Sequence, residues 1–259
     1  MLKRLNKLFI FLLILILLVS CSENQPSDSM AEKIIRDFWQ GQYEYTKTSY
    51  LGKNPKIITE EMEGKLISDP YQQYERAVNV SETEGITEQY WYIQDGKVVH
   101  NVKMSVGDTP DQCLSHESDV KGSALYIKDD LSFNLDRKES ISGRDVYIYR
   151  AQYEDELHID YSYLPEKEVS DITEISVPYT TEVEYYIDFS KKEVLRIRID
   201  GTGSARAGAI ANLMYSGMSQ EEAEKKIQEK ETVEPYEVII EIKAYNEKIK
   251  IEVPQYKTN

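Results

Sequence analysis

The sequence predicts a mainly β protein of the α+β class, with one curved antiparallel sheet and amphipathic helices on its concave face. Three observations carry this reading. Apolar and polar residues alternate with period two over most of the chain from Tyr43 to Val253, the pattern of strands with one buried face. Turn signals break that alternation at short intervals, at Gly52–Pro55, Asp69–Pro70, Asp95–Gly96 and Ser190–Lys192, as an antiparallel meander requires. Three short helical patterns interrupt the strands. Each has an apolar stripe too short to be stable alone, so each needs a sheet face to cover.

The elements follow in order. Ser29 and Glu32 form an S-x-x-E capping box, and Ile34, Ile35, Phe38 and Trp39 make one stripe that Gly41 ends. QYEYTKTSYL, KIITEEMEGKLIS and QYERAVNV read as strands. EQYWYIQDGKVVHNVKMSV is a hairpin about Asp95-Gly96, a type I′ signal. From Gly107 to Leu135 the pattern is polar. It reads as a surface loop with a short strand near Leu125–Ile127. RDVYIYRAQ and ELHIDYSYL then flank Tyr153–Asp155 as a second hairpin, with Leu157, Ile159, Tyr161 and Tyr163 on one face.

Pro165–Pro178 reads as a longer connection. TEVEYYIDF and EVLRIRID form the next hairpin, with Leu195, Ile197 and Ile199 facing one way and Arg196 and Arg198 the other. Two helices follow. The first is capped by Ser204, with a stripe of Ala205, Ala209, Ile210, Leu213 and Met214; the second opens on a Ser219/Glu222 box. The chain closes on YEVIIEIKAYNEKIKIEVP as a final hairpin, with Ile249, Ile251 and Val253 inward.

The first 21 residues carry a different message. MLKRLNK is basic and LFIFLLILILLV is apolar, the n- and h-regions of a secretory signal. The run is shorter than the roughly 20 residues of a membrane span. It ends in Leu18-Val19-Ser20-Cys21, which resembles the lipobox of bacterial lipoproteins. That resemblance implies cleavage after residue 20, a diacylglyceryl thioether on Cys21, and a short polar tether, residues 21–29, leading to a single domain, residues 30–259. The expected place is the extracytoplasmic face of the cell membrane, because two acyl chains give stable attachment.

The formal charge of −15 becomes −18 once Lys3, Arg4 and Lys7 are removed. A field of that sign repels nucleic acid, so no nucleic-acid partner is expected. With Cys21 acylated, Cys113 has no disulfide partner in the chain.

No catalytic, metal or cofactor motif stands out. Cys113-x-x-His116, with Asp111, Glu117 and Asp119 nearby, lacks the second Cys/His pair of a tetrahedral site. It reads as a polar loop with a free thiol. RIDGTGSARAGAI follows a strand and opens a helix but has neither a Walker nor a Rossmann spacing, and reads as a turn before a capped helix. EDELHID lacks a calcium-loop spacing. The twenty tyrosines fit half-buried strand surface, and some of them suit the wall of an amphipathic cavity.

The element order resembles the LolA-like and LppX/LprG-like half-barrel lipoproteins: a helix, a long antiparallel meander, YYIDFSKKEVLRIRID and a closing IIEIKAYNEKIKIEVP. That resemblance implies an unclosed half-barrel with an apolar interior that holds a lipid or another apolar ligand. The residues expected to line it are Trp39, Tyr147, Tyr149, Tyr161, Tyr185, Ile197 and Ile240. The alternative is a sensor or protein-interaction lipoprotein, with an envelope protein as partner and a barrel filled by its own helices. Ile34, Phe38, Trp39, Leu213 and Met214 are the residues that would fill it.

Overall fold

The computed structural model describes residues 26–79, 85–107, 109–118, 131–160, 174–230 and 233–254. The expected signal, Cys21, the strand near Leu125–Ile127, Tyr161 and Tyr163 lie outside the described residues. Helix α1 spans Asp28–Trp39. Ten strands follow: β1 Gln42–Leu51, β2 Ile57–Ser68, β3 Tyr71–Asn79, β4 Gly85–Gln94, β5 Lys97–Val106, β6 Gln112–Ser118, β7 Asn134–Ile141, β8 Arg144–Asp160, β9 Glu174–Asp188 and β10 Glu193–Asp200. Helices α2 Thr202–Tyr215 and α3 Gln220–Lys230 precede the last strand, β11 Tyr236–Tyr245.

All eleven strands form one antiparallel sheet in the order β6-β5-β4-β3-β2-β1-β11-β10-β9-β8-β7. The sheet is not closed: β6 and β7 are its edges. It consists of two meanders, β1 to β6 and β7 to β10, joined through β11, which pairs with β1 on one side and β10 on the other.

Alternation sorts each strand into an inner and an outer face. Tyr43, Tyr45, Leu66, Trp91, Tyr149, Tyr185, Ile187, Ile197 and Ile240 bury inward in one cluster, under Ala31, Ile34, Ile35 and Phe38 of α1. Phe38 stacks on Tyr43 with ring centroids 4.4 Å apart. Further along the β8–β9 ribbon the same register places Ile159 opposite Ile175 and Leu157 opposite Val177. There α2 and α3 cover the face with Ala207, Ile210, Ala211 and Ala223. Gly203 lets α2 approach closely, since a Cβ there would sit 2.1 Å from the Thr180 carbonyl oxygen. Gly203 of RIDGTGS therefore serves helix packing, while Gly201 makes room for the Tyr236 ring.

Several expectations are corrected. The N-cap of α1 is Ser27, whose hydroxyl accepts from the Met30 amide at 3.3 Å, so the helix begins two residues earlier than Ser29 suggests. Residues 112–118, expected as loop, form edge strand β6. Its side chains from Gln112 to Glu117 are exposed, so no alternation marks it.

Tyr153–Asp155 is no turn, and β8 runs straight through it, with Tyr153 opposite Thr181 and Asp155 opposite Tyr179. That triplet offers no Gly or Asn for a positive-φ position. The expected connection to Pro178 is, from Glu174, the first half of β9. β10 reaches only to Glu182, so Pro178 sits where β9 has β8 as its sole sheet neighbour, a place that tolerates proline.

A bulge between Val194 and Arg196 turns Val194 inward and Leu195 outward onto Val146, Ile148 and Tyr186. Gly201, not Ser204, is the N-cap of α2, and its buried stripe is Ala207, Ile210 and Ala211, set by the Gly203 contact. Residues 248–254 form no strand. Both edges of β11 are already taken, so a returning arm has no free edge to pair with.

Candidate functional site

The inner face divides into an apolar half and a polar half. On the apolar half, Tyr185, Ile197 and Ile240 are each at most 1 % exposed, and Tyr149 is fully buried. Trp39 packs edge-on against Tyr185, and Tyr147 edge-on against Phe189. Six of the seven residues expected to line a cavity thus come together in or against one packed cluster beneath α1. Tyr161 lies outside the described residues. Of the expected fillers, Ile34, Phe38 and Trp39 pack on this cluster. Leu213 and Met214 pack instead on the separate patch with α2. Two polar atoms are buried here without a partner: the Tyr43 hydroxyl and the Trp39 indole N–H.

The polar half lies on β2 to β6. Tyr45, Gly64 and Glu75 stand side by side on β1, β2 and β3. The Tyr45 ring crosses over Gly64, where a Cβ would sit 2.1 Å from its Cζ, and its hydroxyl donates to Glu75 Oε1 at 2.7 Å. Gln73 Nε2 donates to the same oxygen at 2.9 Å, and the Tyr71 hydroxyl donates to Gln73 Oε1 at 2.7 Å. Burial, with the neighbouring Glu75 charge, holds the Tyr45 phenol well above its ordinary range.

Next along this face, Trp91 stacks on His100 at 4.4 Å, and His116 meets His100 edge-on at 4.8 Å. His100 Nε2 lies 3.0 Å from Gln89 Oε1. Burial, then the nearby His116, lowers the His100 pKa to about 4. Alternation on β6 puts Cys113, opposite Lys103, on the outer face and His116, opposite His100, on the inner one. Cys113 and His116 are therefore not brought together. Among the described residues no group of three or more His, Cys, Asp or Glu side chains could hold a metal ion.

The outer face of the second meander carries a charge network. The Glu184 side chain is 2 % exposed. It accepts from Arg137 at 2.8 Å, Arg150 at 3.0 Å and Arg198 at 3.3 Å, and from the Tyr186 hydroxyl at 3.1 Å. Burial alone would raise the Glu184 carboxyl; the Arg137 guanidinium overrides it and holds the pKa down to about 2. Arg198 was legible in RIRID as part of the outward set of β10, but Glu184 was not, because its arginine partners lie on three different strands.

Among the clefts that open on the surface of the described residues, three bear on the site. One of about 730 Å³ is bordered by Leu131, Asn134, Arg150 and Tyr153. A second, of about 860 Å³, lies between α1 and the β9–β10 turn, beside Lys33, Lys191 and Lys192. The third, about 850 Å³, lies on the outer face of β4 to β6 and is walled by Val253 and Pro254. None of the three is lined by Trp39, Tyr147, Tyr149, Tyr185, Ile197 or Ile240.

No family model matches the chain, and no curated protein matches its sequence. Among solved structures, the Mycobacterium tuberculosis lipoprotein LppX is similar at 11% identity and a TM-score of 0.40, over 87% of this chain and 100% of that one. A DUF1329 family protein from Desulfovibrio piger is similar at 10% identity and a TM-score of 0.31, over 87% and 93% of the two chains. An outer membrane lipoprotein-sorting protein domain from Vibrio parahaemolyticus gives 11% identity and a TM-score of 0.24, over 84% and 90%. Two of these three, the lipoprotein and the lipoprotein-sorting domain, are proteins of the kinds named by the sequence resemblance.

Proposed function

We propose that the chain is a lipid-anchored, extracytoplasmic, non-catalytic binding protein of the cell envelope, held to the membrane through acylated Cys21. In this conformation its half-barrel is closed by its own helix. The observation that carries this reading is the packing of Ile34, Ile35 and Phe38 into the apolar half of the inner face, which leaves the cluster around Tyr149, Tyr185, Ile197 and Ile240 buried. A filled barrel supports a role in contacts made at its surface, with an envelope protein or another partner.

A second reading, a lipid or other apolar ligand in the interior, is favoured by the Tyr43 hydroxyl and the Trp39 N–H. Both are buried without partners on an otherwise apolar, aromatic face. Such a ligand would enter beside α1 and offer those two groups a polar atom.

Native mass spectrometry of the Cys21→Ala protein lacking residues 1–20, with organic extraction, separates the two. An apo mass with no uptake of added lipid supports the filled barrel. A stoichiometric co-purifying lipid overturns it in favour of carriage.

A further inference from the structure

The outer-face cleft holds a built polar group that the fold leaves incomplete. Asn101 is 2 % exposed, and its Nδ2 donates to the Tyr92 hydroxyl at 3.3 Å. Its Oδ1 is buried without a partner. A buried amide oxygen left unpaired is costly and calls for a donor from outside. Tyr92, which accepts from Asn101, keeps its own proton free to give. Ser115 stands opposite Asn101, and Gln94 also lines the cleft.

The apolar side comes from Val99, which lies opposite Tyr92, and from Val253 and Pro254 across the cleft. The charges nearly cancel. Lys97 pairs with Glu117 at 2.6 Å, and Asp95 is the remaining carboxylate of the lining.

These features select a ligand class. Donors and acceptors side by side match hydroxyls, which are both. A near-neutral lining with an acidic excess disfavours anions. A mixed wall disfavours an acyl chain, whereas valine and proline surfaces suit the C–H face of a sugar ring. The volume of about 850 Å³ lies in the range of ligand clefts. We propose that this cleft is a binding site for a neutral saccharide, anchored by Asn101 and Tyr92. The site does not depend on the anchor or on what fills the barrel.

The test uses the full chain in a sugar-free detergent, titrated by calorimetry with neutral oligomers of glucose and of N-acetylglucosamine and with a neutral peptide. The expected result is saturable binding of one oligosaccharide series. Asn101→Leu and Tyr92→Phe should each weaken it about tenfold, the worth of a hydrogen bond in a desolvated site. The Asn101→Leu melting temperature should be unchanged or raised, because the substitution removes an unpaired acceptor. Failure of every oligosaccharide to bind overturns the proposal, as does binding that both variants leave intact. Preferential binding of the peptide, weakened by the same substitutions, overturns the saccharide class.

Discussion

Replacing Glu184 with Gln tests the outer-face charge network. The carboxylate is 2 % exposed and meets three guanidiniums. Its pKa is about 2 in the fold, against 4.5 as the ordinary value. A shift of that size corresponds to about 3 kcal/mol of stability at neutral pH. The three arginine side chains are 35 % to 42 % exposed, so solvent screening reduces this to about 2 kcal/mol.

The sign follows from the depressed pKa. The contribution is fully present above pH 4.5 and is lost as pH falls toward 2, so less than half remains at pH 3. Glu184→Gln should therefore lower stability by about 2 kcal/mol at pH 7, or about 4–8 °C in melting temperature for a chain of this size. The gap to the parent should be less than half as large at pH 3. Urea unfolding at both pH values reads this directly. An equal gap at pH 3 and pH 7 would refute the electrostatic reasoning and leave packing as the cause.

Gly64→Val should displace the Tyr45 ring and break its bond to Glu75; overpacking together with an under-satisfied buried carboxylate costs about 2–4 kcal/mol, read as a lower denaturation midpoint. Tyr149→Phe removes the hydroxyl that donates to the Pro26 carbonyl at 3.0 Å. It should lower hydrogen-exchange protection at the start of α1 by about tenfold, with little change in the sheet. Ser219→Ala should cost about 1 kcal/mol, because Ser219 and Glu222 cap α3 reciprocally; thermal melting measures it. In an NMR titration His100 should remain neutral at pH 5.5 and protonate near pH 4. An ordinary midpoint near 6.5 would show that His100 is not buried beside Trp91 and His116 in solution.

The hairpin about Asp95-Gly96 was legible because the residues that take positive φ are there by type: Asp95 at 53° and Gly96 at 79°. The β9–β10 hairpin and the Ser219/Glu222 cap were legible for similar local reasons. Edge strand β6 was not, since a strand with both faces in solvent leaves no apolar period. The length of β8 was hidden because pairing with β9 overrides the polar triplet Tyr153–Asp155. The path of residues 248–254 depends on which edges of β11 are occupied, a fact about distant strands.

The candidate sites followed the same rule. Trp39, Tyr149, Tyr185, Ile197 and Ile240 were expected to line a cavity, and they lie in or against one buried cluster; whether such residues line or pack depends on where α1 docks. Asn101 carried no signal in sequence. Its meaning comes from Tyr92 on one neighbouring strand and from a segment some 150 residues later.

The position of β11 governs when this molecule can become whole. β1 and β10 each present an unpaired flank until β11 lies between them, and β1 meets β11 across most of the chain's length. During synthesis, then, the two meanders emerge as separate ribbons with sticky margins, and sealing awaits the later segment that carries β11. Such a late, long-range closure slows folding and leaves raw strand edges exposed meanwhile. A chain stalled before residue 236 should therefore aggregate rather than persist as a smaller folded body.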